Sequence, residues 1–174
     1  MDIIALTNPA INRPGIGGTI YLAELEWFAT FGAAATVTVF GDELRITGDH
    51  TFNTNKGFVP WQTEDDVANL KIPVTGTRSS LGLKPELTVY LPSLDPARTL
   101  SAVQNKSYIG LLTAFGCGAT QYLQLGDTCN PLRLMPSDGF NSGVAGGNDA
   151  RGWTLKLGSN YSVYFYEGDL TVYP

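Results

Sequence analysis

The run Tyr108-Ile-Gly-Leu-Leu-Thr-Ala-Phe115, followed across Gly116-Cys117-Gly118 by Thr120-Gln-Tyr-Leu-Gln-Leu125, decides the fold class. The first stretch is almost continuously apolar and bounded by glycine, which reads as a central strand buried on both faces. The second alternates apolar and polar residues, the period of a strand with one wet face, and returns antiparallel across the glycine turn.

Working outward, Pro131 to Met135 and Gly152 to Leu157 read as another strand pair, joined by a flexible Ser-Asp-Gly-Phe-Asn-rich stretch. Tyr161 to Val172 closes the chain with aromatic strand residues around Glu167-Gly168-Asp169. Upstream, Ala68 to Val74 and Thr77 to Leu91 read as strands, the latter placing Leu83, Leu87, Val89 and Leu91 on one parity. Asp95-Pro96 is a helix start, with Asp as N-cap and Pro at the first helical position. Ala97, Leu100, Ala102 and Val103 then give a short helix over about 95–105 its apolar stripe.

In the first half, Thr19 to Phe31 reads as a strand with Tyr21, Ala23, Leu25, Trp27 and Ala29 on an apolar face. Thr36-Val-Thr-Val-Phe40 and Glu43-Leu-Arg-Ile46 flank Gly41-Asp42, a tight-turn dipeptide, and predict a hairpin. Residues 1–18 mix Pro9, Pro14 and three glycines with Ile3, Ile4, Leu6 and Ile11, an extended arm that needs a surface to lie on. Residues 47–63 read as a long loop whose Phe52, Phe58 and Trp61 need cover, and long loops in compact domains are usually functional or interface-forming. The sum is a single β domain over 1–174: about nine or ten strands and one short helix, an antiparallel β-sandwich or half-barrel.

Composition fits that reading. The 174 residues are 43% hydrophobic and 16% charged, too apolar for disorder, and no apolar run approaches the roughly 20 residues that span a bilayer, so no membrane partner is expected. Eleven Lys plus Arg against sixteen Asp plus Glu leave a net charge of −5, which disfavours sequence-independent nucleic-acid binding. The basic residues never fall two in a row, so sequence-specific nucleic-acid readout is not expected either. The opening residues lack a charged segment followed by an apolar run, and an unsecreted chain is expected. Cys117 and Cys129 are the only cysteines and flank a predicted hairpin, within reach of a disulfide between neighbouring strands. Without an export leader, two reduced thiols are preferred.

Few residues offer catalysis. His50, the one histidine, lies in a Gly-Asp-His-Thr loop with no nucleophile signature beside it. Glu24 and Glu26 would project from one strand face roughly 7 Å apart, a spacing compatible with glycoside hydrolysis but common in any β protein. Asp138-Gly-Phe-Asn141 with Gly147-Asn-Asp149 supplies oxygen ligands without the spacing of a calcium loop. Two Cys and one His fall short of a zinc set, and no phosphate-cradling glycine motif precedes a helix, so neither metal nor cofactor is expected. Trp61, Tyr122, Tyr161, Tyr164 and Tyr166 are candidate rings for a sugar-binding platform.

The order of elements over roughly 78–170 carries a resemblance. Pro85-Glu-Leu-Thr-Val-Tyr-Leu91, the Pro-started helix, the apolar strand with its glycine turn, Tyr122-Leu-Gln-Leu-Gly126, Pro131-Leu-Arg-Leu134, the Gly-rich loop with Asp149-Ala-Arg-Gly152 and Tyr164-Phe-Tyr-Glu-Gly168 follow in turn. This resembles small β-rich virion structural proteins of tailed bacteriophages, especially those infecting Bacteroidetes. The resemblance implies a non-enzymatic tail-tube-like or neck subunit that assembles into homo-oligomeric rings, with the genome passing through their lumen. It implies a virion location, assembly in the host cytoplasm, and other virion proteins as partners. The arm residues Ile3, Ile4, Leu6 and Ile11 and the loop residues Phe52, Phe58 and Trp61 are the expected subunit contacts. The alternative, from another class, is a carbohydrate-binding or adhesin-like β-sandwich of a fibre or capsid decoration.

Overall fold

A computed structural model describes residues 19–39, 41–62, 69–77, 80–91, 106–113, 122–142, 152–160 and 163–173. The described chain is mostly β with almost no helix. Its strands are β1 (Thr19–Glu24), β2 (Phe28–Thr30), β3 (Arg45–Ile46), β4 (Thr51–Phe52), β5 (Val59–Gln62), β6 (Asn69–Lys71), β7 (Val74–Thr77), β8 (Ser80–Leu83), β9 (Glu86–Leu91), β10 (Ser107–Thr113), β11 (Tyr122–Leu125), β12 (Leu132–Asn141), β13 (Gly152–Gly158) and β14 (Val163–Tyr166). The expected helix over 95–105 lies outside the described residues, as do Ile3, Ile4, Leu6, Ile11 and Cys117.

β10, the strand of the apolar run, organises the molecule. One edge pairs antiparallel with β1, aligning Ile20 with Leu112 and Ala23 with Ile109. The other edge is shared: its C-terminal half pairs with β11 and its first residues with β12. The ten-stranded sheet therefore forks at β10. One arm runs through β11 and β14 to β3, the other through β12, β13 and β9 to β6, while β1 and β5 extend the far edge. Short hairpin-like ribbons, β2 with β4 and β7 with β8, complete the described strands.

Both faces of β10 are covered, as its continuous apolar run predicts. Tyr108 and Leu112 join Ile20, Leu22, Leu125, Leu132, Val163 and the inward residues of β9 and β13, Leu87, Val89, Leu155 and Leu157, in one core between the two arms. Ile109 and Leu111 face the opposite way into a second core with Ala23, Ile46, Phe58 and Tyr166, roofed by Trp27, Phe28, Phe31 and Phe52. Gly110 lets Leu132 and Leu22 pack close: a Cβ there would stand 2.9 Å from Leu132 Cδ1 and 3.2 Å from Leu22 Cδ2, and these side-chain ends would have to move aside.

Four local expectations are corrected. The strand expected over 19–31 is interrupted after Glu24 by a 3-10 turn, Leu25–Trp27, and resumes as β2. The hairpin expected over 35–46 is reduced to Ala34 and Ala35 lying antiparallel to Arg45 and Ile46, with one Ala35 N–H to Arg45 C=O bond of 2.9 Å. Gly41 does turn the chain, at φ 105°, but Asp42 to Leu44 then form a 3-10 turn and β3 pairs in parallel with β14. The stretch after Met135, expected to be flexible, continues β12 to Asn141 past a register shift, with Phe140 against Trp153 of β13. The 47–63 region likewise carries β4 and β5 within it.

Candidate functional site

His50 closes a polar knot inside the second core. Its side chain is 2% exposed and stacks flat on Tyr166, ring centroids 4.5 Å apart and planes 1° from parallel. The rings of Phe28 and Phe31 meet it edge-on at 5.4 and 5.2 Å. The Gly32 N–H donates to Nδ1 at 3.0 Å, which fixes the neutral tautomer with its proton on Nε2. That proton is donated to Gln124 Oε1 at 2.7 Å, and Gln124 in turn donates to the Gly126 carbonyl at 3.1 Å. The Tyr166 hydroxyl accepts the His50 N–H at 3.1 Å and donates to the Asp169 carbonyl at 2.9 Å. Burial lowers the pKa of His50, against the opposing pull of Gln124 and Asp49. Both ring nitrogens are committed to protein partners, so the imidazole serves as a structural cross-link between the 32–50 region and β11.

Two further carboxylates are absorbed by the backbone. Asp42 Oδ2 accepts from the N–H groups of Thr38 and Val39 at 2.9 and 3.0 Å and from the Thr38 hydroxyl at 2.8 Å. These donors hold its carboxyl well below the usual carboxylate range. Arg45 bridges Asp42 and Glu167, with contacts of 3.2 and 2.7 Å, and so pins β3 against the turn after β14. Asp127 Oδ1 accepts the N–H groups of Cys129 and Asn130 at 2.7 and 2.6 Å, an Asx-type turn following Gly126 at φ 89°. The Tyr164 hydroxyl donates to Asp127 Oδ2 at 3.0 Å. Burial first, and then the adjacent Asp127, push the Tyr164 phenol up to about 12.

The sequence candidates fall in different places. Glu24 is tied to Lys106 at 2.7 Å while Glu26 sits in the 3-10 turn, so the two do not share a strand face as expected. Asp138 and Asn141 belong to β12 rather than to an ion-binding loop. Among the described residues no three His, Cys, Asp or Glu side chains group to hold a metal ion. Phe58 is fully buried in the second core, so its cover comes from its own chain and it presents no surface to a neighbour. Phe52 packs over Phe28 and Phe58 at 4.6 and 5.1 Å, half-buried. Trp61 packs against the first core. Of the candidate sugar-platform rings, Tyr166 is fully buried and Tyr122, half-buried, meets Tyr21 edge-on at 6.1 Å. Cys129 is a free, exposed thiol.

Exposed apolar side chains include Val74, Val172 and Tyr173, and a group near the β3 end of the large sheet. There Ala34 and Ala35 lie against β3, the chain runs on unpaired, and Val37 and Val39 are 63% and 64% exposed. Leu44 and Phe165 of neighbouring β14 are also exposed there. The Thr-Val-Thr-Val segment has strong strand propensity but belongs to no strand. Sequence reading marked this segment as β-prone; that its partner would be missing depends on Asp42 capturing its N–H groups. Comparison with protein-family models, with curated proteins and with solved structures finds no match to this chain.

Proposed function

We propose that the protein is a non-enzymatic structural subunit of a tailed-phage virion, a tail-tube-like or neck component that associates with its own copies into rings. The observation that carries this reading is the β-prone edge at Thr36–Val39, with Val37, Val39, Leu44 and Phe165 exposed around one end of the sheet. Exposed apolar side chains gathered at one end of a sheet mark a surface for another chain to cover. A contact between this end of one subunit and a different surface of the next is head-to-tail, and closes into a ring where the rotation between subunits divides the full turn. The order of elements over 78–170 supports the virion assignment, and the net charge of −5 suits a wall along which DNA slides without adhering. The committed imidazole and the capped carboxylates support a role without catalysis. On this reading the subunit assembles in the host cytoplasm and meets other virion proteins at the ring faces.

Negative-stain imaging of the concentrated full-length chain tests it. Rings, stacks or tubes are expected; a field of isolated particles of single-chain size at every concentration overturns the reading.

A further inference from the structure

The basic residues of this acidic chain are unevenly used. Arg45 and Lys106 are paired with carboxylates, and Lys56 lies over the Trp27 ring at 4.8 Å. The other four described cations, Lys71, Lys84, Arg133 and Lys156, make no hydrogen bond or ion pair through their side chains among the described residues. Lys71, Arg133 and Lys156 belong to the β6–β9–β13–β12 arm, and Lys84 lies just before β9. Strand register explains why: Leu87, Leu157, Leu132 and Leu134 point into the first core, which turns Glu86, Lys156, Gly158 and Arg133 to the outer face. Glu86 is the acid among them; it registers against Lys71 of β6 on one side and, across Gly158, lies two strands from Arg133 on the other.

At the end of this face, where β13 finishes between the starts of β9 and β12, lies a groove of about 420 Å³. Lys84 and Arg133 stand on its walls with Asn130, Asn160 and Cys129, and no carboxylate lines it. Ser159 lines it too, a residue only 7% exposed. Met135 packs over Gly158, where a Cβ would meet its Sδ.

We propose that this groove binds a small tetrahedral oxyanion, phosphate or sulfate, free in solution or carried as an ester on a larger solute. Arg133 and Lys84 supply charge-assisted donors, and the Asn130 side chain a neutral one. The site is local, so it coexists with a net charge that repels extended phosphate polymers.

The test is isothermal titration of the full-length chain with inorganic phosphate, inorganic sulfate and glucose 6-phosphate, each against chloride at matched ionic strength. Saturable binding of the inorganic ions is expected if the free ion is the ligand, and of glucose 6-phosphate alone if an ester is. Arg133→Gln and Lys84→Gln should each weaken binding about tenfold, whereas Lys156→Gln, outside the groove, should leave it within about twofold. On the unmodified chain, bound anion should slow alkylation of Cys129 by iodoacetamide, read by peptide mass at that residue. Binding no tighter than chloride for all three probes, or an Arg133→Gln variant that binds like the parent, overturns the proposal.

Discussion

His50 accepts from the Gly32 N–H and gives its one proton to Gln124, so a second proton would break the Gly32 bond as well as place a charge under three phenyl rings. Its pKa is therefore lowered in the folded state, chiefly by burial. A group whose folded pKa lies below its unfolded value of about 6.5 stabilises the fold fully above that value and loses the contribution as pH falls through it. Denaturant unfolding from pH 8 to pH 5 should show stability declining on the acid side, and His50→Leu should remove that slope. The same variant strands the Gly32 N–H and the Gln124 carbonyl, and should cost about 2–4 kcal/mol at pH 8. Asp42 titrates lower. Its carboxyl is held down by the Thr38 and Val39 N–H groups first, so its contribution is complete above the ordinary carboxylate range and is lost as pH falls below about 4. Asp42→Asn should flatten that acid limb and loosen the 36–44 turn, which amide exchange at Thr38 and Val39 would detect. Neither role was legible in the sequence. A lone histidine in a polar Gly-Asp-His-Thr loop looks solvated, and only the fold brings Tyr166 and Gln124, more than seventy residues away, onto it.

β10 shows what a single strand can disclose. Its unbroken apolar run and bounding glycines already meant burial on both faces, and Ile109, Leu111 and Leu112 are each at most 2% exposed. Leu111→Ala should therefore cost about 3–4 kcal/mol in calorimetric or denaturant unfolding, the range of a large cavity in a packed core. Val37→Ala, a larger-to-smaller change at an exposed position, should stay within about 0.5 kcal/mol. The pairs of β12 with β13 and β10 with β11 were equally legible, because hairpin partners are close in sequence and announce their turns. The failures have separate causes. The 35–46 hairpin was lost because the Asp42 side chain offers Thr38 and Val39 a local alternative to a ladder, a competition that strand propensity does not register. The break after Glu24 went unseen because Tyr21 and Ala23 on one side, and Ile20 and Leu22 on the other, are all covered, so parity carries no signal. β3 finds its partner more than a hundred residues downstream in β14, and the sharing of one β10 edge by two strands has no sequence signature at all.

At the scale of the molecule, the two cores account for the large apolar residues of the sheet arms and leave a bare end at Thr36–Val39. The candidate contact residues divide accordingly: Phe58 belongs to the interior, Phe52 and Trp61 to its margin, and the edge valines, which the sequence marked only as strand-forming, take their place as the exposed apolar surface. If that end is a subunit contact, replacing Val37 and Val39 together by Asp should abolish assembly while shifting the monomer's stability by no more than about 1 kcal/mol, since both side chains already face water. Sedimentation and thermal unfolding of the same sample separate the two effects. The most direct measurement is the native mass of the full-length chain by light scattering across a concentration series. The account predicts a mass that rises with concentration to a discrete multiple of one chain, the ring; a single-chain mass held unchanged to the highest concentration would contradict it.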